Sequence, residues 1–136
     1  MIRKVTCSPR QTEELGAKLA SVLKGREMIA MFGDLGAGKT AFTRGLASVF
    51  SPGSRVKSPS FTIVNEYRMG KTPLFHFDLY RLEGGADINE VGMDPDYLSS
   101  GISLIEWPER LDDTSGITHT VKIKILSETE REITLE

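Results

Sequence analysis

Apolar positions along the chain follow two periods. Leu15, Leu19 and Leu23 recur every four residues, an apolar stripe on a helix that should end before Gly25. Ser8, with Pro9 behind it and Gln11 three residues on, supplies that helix's amino-terminal signals. Arg3 to Cys7 reads as a short opening strand. Met28 to Phe32 is an unbroken apolar run between turn residues, which suits a buried strand. A glycine-rich turn follows, then a helix from about Lys39 to Val49, stopped by Ser51-Pro52-Gly53. Thr62 to Tyr67 and Leu74 to Tyr80 read as strands around the turn Met69-Gly70-Lys71. Ile102 to Glu106 is a further apolar strand, closed by Pro108. Val121, Ile123 and Ile125 alternate with Lys122 and Lys124, so Thr120 to Leu126 is a half-buried strand. Ile133 and Leu135 continue that pattern after the polar turn Ser127–Glu130. Residues 83–101 hold four glycines and scattered acids and read as short helical pieces in a loop. The sum is a mixed α/β fold in one domain, 1–136, with a parallel core sheet, antiparallel additions and helices on both faces.

Composition narrows the class. At 136 residues, 39% apolar and 26% charged, the chain can bury a real core, and neither disorder nor low complexity is expected. Its single cysteine, Cys7, excludes an internal disulfide and a multi-cysteine zinc site. The longest apolar run, Met28 to Phe32, is far too short to span a membrane, and the opening Met-Ile-Arg-Lys-Val-Thr carries no hydrophobic signal. We therefore expect a cytoplasmic protein without a membrane partner. Charge is uneven: residues 1–82 carry 13 Lys/Arg against 6 Asp/Glu, whereas residues 83–136 carry 4 against 13. Such asymmetry suits two faces for different partners, or two halves each solvating its own surface. No compact basic stripe is evident, so autonomous DNA or RNA binding is not expected.

The chemistry lies in the glycine-rich turn. Gly33-Asp34-Leu35-Gly36-Ala37-Gly38-Lys39-Thr40 satisfies G-x-x-x-x-G-K-[ST] between an apolar strand and a helix. Glycines let such a loop bring backbone N–H groups close to a phosphate, and the helix adds its positive end to the same anion. Lys39 can reach the β- and γ-phosphates, and the Thr40 hydroxyl can ligate Mg²⁺. Two acids end strands that should lie beside this loop: Asp78 after Leu74-Phe75-His76-Phe77, and Glu106 after Ile102-Ser103-Leu104-Ile105. Ligands of open α/β sheets bind outside the carboxyl ends of strands, so either acid can hold the metal or orient a water. Either can equally cap its strand or pair with a neighbour such as Arg81. Ser58-Pro59-Ser60-Phe61 falls where P-loop switches place a γ-phosphate sensor, although Ser-Pro is usually only a turn. Trp107 should sit, partly exposed, at the rim. His76 and His119 lack metal-pair spacing and read as core or surface residues.

With these residues quoted, the chain resembles the TsaE family, also called YjeE, of bacterial threonylcarbamoyladenosine tRNA modification. The likeness runs through Gly33–Thr40, Val56-Lys57-Ser58-Pro59-Ser60-Phe61, His76-Phe77-Asp78-Leu79-Tyr80-Arg81-Leu82 and Ile105-Glu106-Trp107-Pro108-Glu109. Ser60 stands where the family usually has Thr, which keeps the hydroxyl. The resemblance implies that Gly36, Ala37, Gly38, Lys39 and Thr40 cradle ATP phosphates. It implies that Thr40 and Glu106 ligate Mg²⁺, that Asp78 is the acid of the second P-loop motif, and that Thr12 lies near the base. It also implies an accessory ATPase that acts on the TsaB–TsaD complex, and so indirectly on adenosine 37 of tRNA. Two other classes compete: a small-molecule kinase, and a nucleotide-gated binding protein without significant hydrolysis. A kinase needs a mobile lid bearing arginines. Residues 83–113 hold nine acids and one base, Arg110, the wrong sign for such a lid.

Overall fold

A computed structural model describes residues 1–34, 36–57, 64–80, 98–111 and 114–136. Seven strands form one sheet: β1 (Ile2–Thr6), β2 (Met28–Phe32), β3 (Val64–Tyr67), β4 (Leu74–Asp78), β5 (Ile102–Glu106), β6 (His119–Ile125) and β7 (Arg131–Leu135). Their order is β1-β7-β6-β2-β5-β4-β3. The centre, β6-β2-β5-β4, is parallel, while β1, β7 and β3 add antiparallel edges. Helix α1 (Pro9–Ala20) follows β1 and α2 (Lys39–Phe50) follows β2.

Side-chain alternation decides which residues meet the helices. Leu19 and Ala20 of α1 and Phe42, Leu46 and Phe50 of α2 share a core with Ile29, Met31, Leu74, Ile102, Leu104, Val121, Ile123 and Ile133. Because successive strand residues point to opposite faces, Leu74 carries His76 and Asp78 to this helical face, and Leu104 carries Glu106. The opposite face buries Phe75, Phe77 and Ile105 beneath Leu79, Leu98 and Leu111. Both described α-helices thus cover one face. The other is closed, among the described residues, by Leu98, Leu111 and the short 3-10 helix Pro108–Arg110.

The two helices cross backbone to backbone. A Cβ on Gly45 would strike the Glu13 carbonyl, and one on Gly16 would strike the Phe42 carbonyl. Glycines at both positions permit the approach that seats α2, and with it the glycine loop, against α1. Helix α1 ends at Ala20, three residues short of Leu23, although Leu23 still packs on the core. The reason is local. The Glu27 carboxylate accepts the amides of Lys24, Gly25 and Arg26, which turns the chain into β2. Strand β4 likewise stops at Asp78 rather than Tyr80, because Asp78 Oδ1 accepts the Tyr80 amide at 3.0 Å. Strands β1 and β6 each start one residue earlier than the sequence pattern suggests. Positions 62–63, the Ser58–Phe61 segment and most of 83–101 lie outside the described residues.

Candidate nucleotide site

Gly36 and Gly38 adopt φ of +79° and +109°, left-handed values that an L side chain rarely takes. Gly38 is the N-cap of α2, and no side chain caps the helix there. The first amides of this twelve-residue helix are therefore left without a side-chain cap, the arrangement that favours an anion. The Ala37 amide donates to the Asp34 carbonyl at 3.0 Å and tightens the turn. Asp34 is exposed, Gly33 is half-buried, and Leu35 lies outside the described residues.

Beside this loop lies a buried polar cluster that sequence pattern only half revealed. Asp78 and Glu106 are register partners at the ends of β4 and β5, 7% and 5% exposed. Lys39 Nζ sits 3.4 Å from Glu106 Oε1. The other carboxylate oxygen accepts a hydrogen bond from His76 Nε2 at 2.5 Å, and His76 is wholly buried. An ionised carboxylate only accepts, so His76 Nε2 is the donor. Burial pushes the Glu106 carboxyl up, but the His76 hydrogen bond and the Lys39 charge outweigh it, holding the group below the ordinary glutamate range. A buried ion pair is a poor way to stabilise a fold, since well-packed apolar residues commonly do as well. Its presence at strand ends beside a glycine loop makes this cluster the candidate functional centre.

Trp107 follows Glu106 and is the one non-glycine among the described residues with positive φ, +58°. That conformation costs about 1–3 kcal/mol and is typical of functional sites. Its half-buried ring packs on Tyr80 with centroids 4.9 Å apart, and Lys39 Nζ lies 5.6 Å from the ring centre. The ring is partly exposed, as expected. Thr40, in the first turn of α2, is half-buried. Thr12 reaches the loop from α1, but its hydroxyl is tied to Thr6 Oγ1 at 2.7 Å. What it turns toward Gly38 is its methyl group.

A cleft of about 330 Å³ runs from the loop over this part of α1, lined by Cys7, Ser8, Thr12, Gly38, Glu128 and Thr129 among others. An apolar groove of about 250 Å³, lined by Ile2, Leu19, Val22 and Leu135, lies at the opposite end of β6, by His119, and includes none of the site residues. Two participants were not legible as such in the sequence. His76 is a core residue, as expected, but its contact with Glu106 was not legible, although the two-residue step from His76 to Asp78 places both on one face. Arg131 donates to the loop carbonyls of Gly36 and Ala37 from the start of β7, and no spacing rule could have found it.

A glycine loop leading from a central parallel strand into a helix, with buried acids ending the neighbouring strands, defines a P-loop NTPase-like protein. Comparisons with known proteins sharpen this. The family model described as "Threonylcarbamoyl adenosine biosynthesis protein TsaE" matches residues 6–133, and the chain belongs to that family. It is 35% identical over 130 residues to the tRNA threonylcarbamoyladenosine biosynthesis protein TsaE of Bacillus subtilis, covering 95% of this chain and 81% of the relative. It is 41% identical over 129 residues to the Aquifex aeolicus protein of that name, covering 93% and 89%. The Treponema pallidum protein is 32% identical over 135 residues, with 98% and 99% covered. The crystal structure of YdiB from Bacillus subtilis superposes with a TM-score of 0.76 at 31% identity, covering 98% of this chain and 83% of that one. No described helix is long and apolar enough to cross a membrane.

Proposed function

We propose that this chain is a magnesium-dependent ATPase that supports threonylcarbamoyladenosine formation at adenosine 37 of tRNA by acting on a TsaB–TsaD complex. The observation that carries the catalytic half is the contact of Lys39 with Glu106 at the mouth of the glycine loop. The names of the relatives carry the pathway half.

In this reading the loop amides of Gly36 to Thr40 hold the β- and γ-phosphates, and Lys39 turns from Glu106 toward them. The Thr40 hydroxyl and the Glu106 and Asp78 carboxylates form a hard, all-oxygen donor set, which fits Mg²⁺. No group of three His, Cys, Asp or Glu able to hold a metal occurs among the described residues. A magnesium ion also takes phosphate oxygens and water as ligands, so fewer protein carboxylates suffice. Bound there, it would neutralise charge developing on the phosphates. His76 fixes the Glu106 carboxylate, and Asp78 orients the attacking water or an ion-bound one. The nucleoside occupies the cleft between Cys7–Thr12 and Glu128–Thr129, with Thr12 as an apolar wall and Trp107 on the phosphate side.

No arginine is assigned to the transferring phosphate, and supplying such a group in trans raises phosphoryl-transfer rates by about 10³–10⁵. The purified chain should therefore release phosphate slowly, and TsaB–TsaD should accelerate it. Depleting the protein should lower threonylcarbamoyladenosine in tRNA without blocking formation of the adenylate. Fast turnover alone, indifferent to TsaB–TsaD and raised by a small-molecule acceptor, would overturn the reading in favour of a kinase.

A further inference from the structure

The Arg131 side chain joins two segments that are remote in sequence. Its Nε donates to the Ala37 carbonyl at 3.1 Å and its Nη2 to the Gly36 carbonyl at 3.3 Å. Its Nη1 turns the other way, to the carbonyls of Ser127 at 2.8 Å and Glu130 at 2.9 Å. Guanidinium is planar, permanently charged and carries five donors in a fixed fork, so it can clasp two strips of backbone that an ammonium could not hold together. Arg131 makes no ion pair among the described residues, so its donors go to carbonyl oxygens.

The consequence follows from peptide geometry. In a planar trans peptide the carbonyl and the next N–H point in opposite directions. Drawing the Ala37 carbonyl toward Arg131 therefore aims the Gly38 amide away from Arg131. Gly38 has no Cβ and a left-handed φ of +109°, so nothing in its own side chain fixes that peptide. The direction must be set from outside, and Arg131 is the group that touches it.

We propose that Arg131 is a positioning residue for the phosphate loop. It sets the Ala37–Gly38 peptide for anion binding and couples the loop to the Ser127–Glu130 turn. This rests on the nucleotide reading above and adds to it a determinant at the sheet's antiparallel edge. Arg131 also lines the cleft assigned to the nucleoside, but the clasp acts through the phosphate loop, so it should serve any pyrophosphate-bearing ligand.

The test titrates ADP and inorganic pyrophosphate, both in EDTA, into the wild type, Arg131→Lys and Arg131→Met by calorimetry. Amide exchange at Gly38 and Lys39 is followed in the nucleotide-free proteins. Arg131→Met keeps the length of the side chain without its donors. It should weaken both ligands by a similar factor, roughly tenfold, and speed exchange at Gly38 while the amides of β2 and β5 stay protected. Arg131→Lys, which restores the charge but not the fork, should recover only part of the affinity. Full recovery by lysine would show that charge alone matters and would overturn the clasp. Loss of ADP affinity with pyrophosphate unchanged would place Arg131 on the nucleoside and overturn it as well. Unchanged affinity in folded Arg131→Met also overturns it while leaving nucleotide binding intact. A wild type that binds neither ligand would instead defeat the nucleotide reading, and this inference with it. Should Arg131→Met fail to fold, Arg131→Lys alone decides, because it too must lose affinity for both ligands.

Discussion

Strands β4 and β5 bury every residue, including His76, Asp78 and Glu106, whereas β6 and β7 bury only Val121, Ile123 and Ile133 fully. On β6, Lys122 and Lys124 are exposed. The two regions share one sheet and one helical layer, yet treat charge in opposite ways. The β6–β7 wing meets the ordinary rule, apolar inward and charged outward. Strands β4 and β5 break it at their carboxyl ends, where Lys39 and His76 Nε2 contact Glu106 and the Tyr80 amide contacts Asp78. His76 Nδ1 is buried there without a hydrogen-bond partner among the described residues. In the proposed function the wing supports the fold and the β4–β5 centre performs the chemistry. Arg131 is where the wing reaches across.

That division can be broken most severely at Glu106. Glu106→Gln keeps the shape and removes the charge, leaving Lys39 and His76 without their anion. Turnover should fall by about 10²-fold or more, and magnesium dependence should move to higher concentration. A magnesium titration of phosphate release checks this, and an unaltered curve would return Glu106 to a structural role. Ile133→Ala in the wing should do the converse. It removes a fully buried side chain from the helical-face core and should cost about 2–5 kcal/mol in denaturant unfolding. Nucleotide affinity of the folded protein should be unchanged. A matching loss of affinity would erase the distinction between wing and centre.

Acid titration should also tell the regions apart. The folded-state value of Glu106 is depressed, so its carboxylate contributes stability that is full above the unfolded value of about 4.3 and disappears as pH falls through the folded one. Unfolding followed from pH 6 to pH 3 should show stability falling with acid, with a smaller slope in Glu106→Gln. Glu27 gives the smallest effect. Burial raises its carboxyl slightly, but the amides of Lys24, Gly25 and Arg26 hold it below the usual range. Glu27→Gln should cost under about 1 kcal/mol, because the group is largely solvated. Thermal unfolding at pH 7 should show only a small drop in midpoint, and nucleotide binding should not change.

Features whose signal is contiguous were legible in the sequence. Met28–Phe32, Ile102–Glu106 and the start of α2 at Lys39 were readable to the residue, because an apolar run bounded by glycine or proline has few alternatives. The glycine loop and both acids were readable for the same reason. The helix-crossing glycines, Gly16 and Gly45, were not, since their function is an approach between helices that no local period encodes. The His76–Glu106 contact was not legible because the two lie thirty residues apart, and the contacts of Arg131 because Gly36 and Ala37 lie more than ninety away. In each case the deciding contact is tertiary.

The central claim is that the carboxyl ends of the parallel strands form one nucleotide site around Lys39. It is tested most directly by calorimetric titration of Mg-ATP into the wild type and Lys39→Ala. Removing Lys39 takes away the ammonium that reaches the β- and γ-phosphates, while Glu106 stays hydrogen-bonded to His76. One saturable site in the wild type, and an affinity lower by about 10²-fold in a folded Lys39→Ala, is the predicted result. Equal affinity in the two proteins would contradict the account.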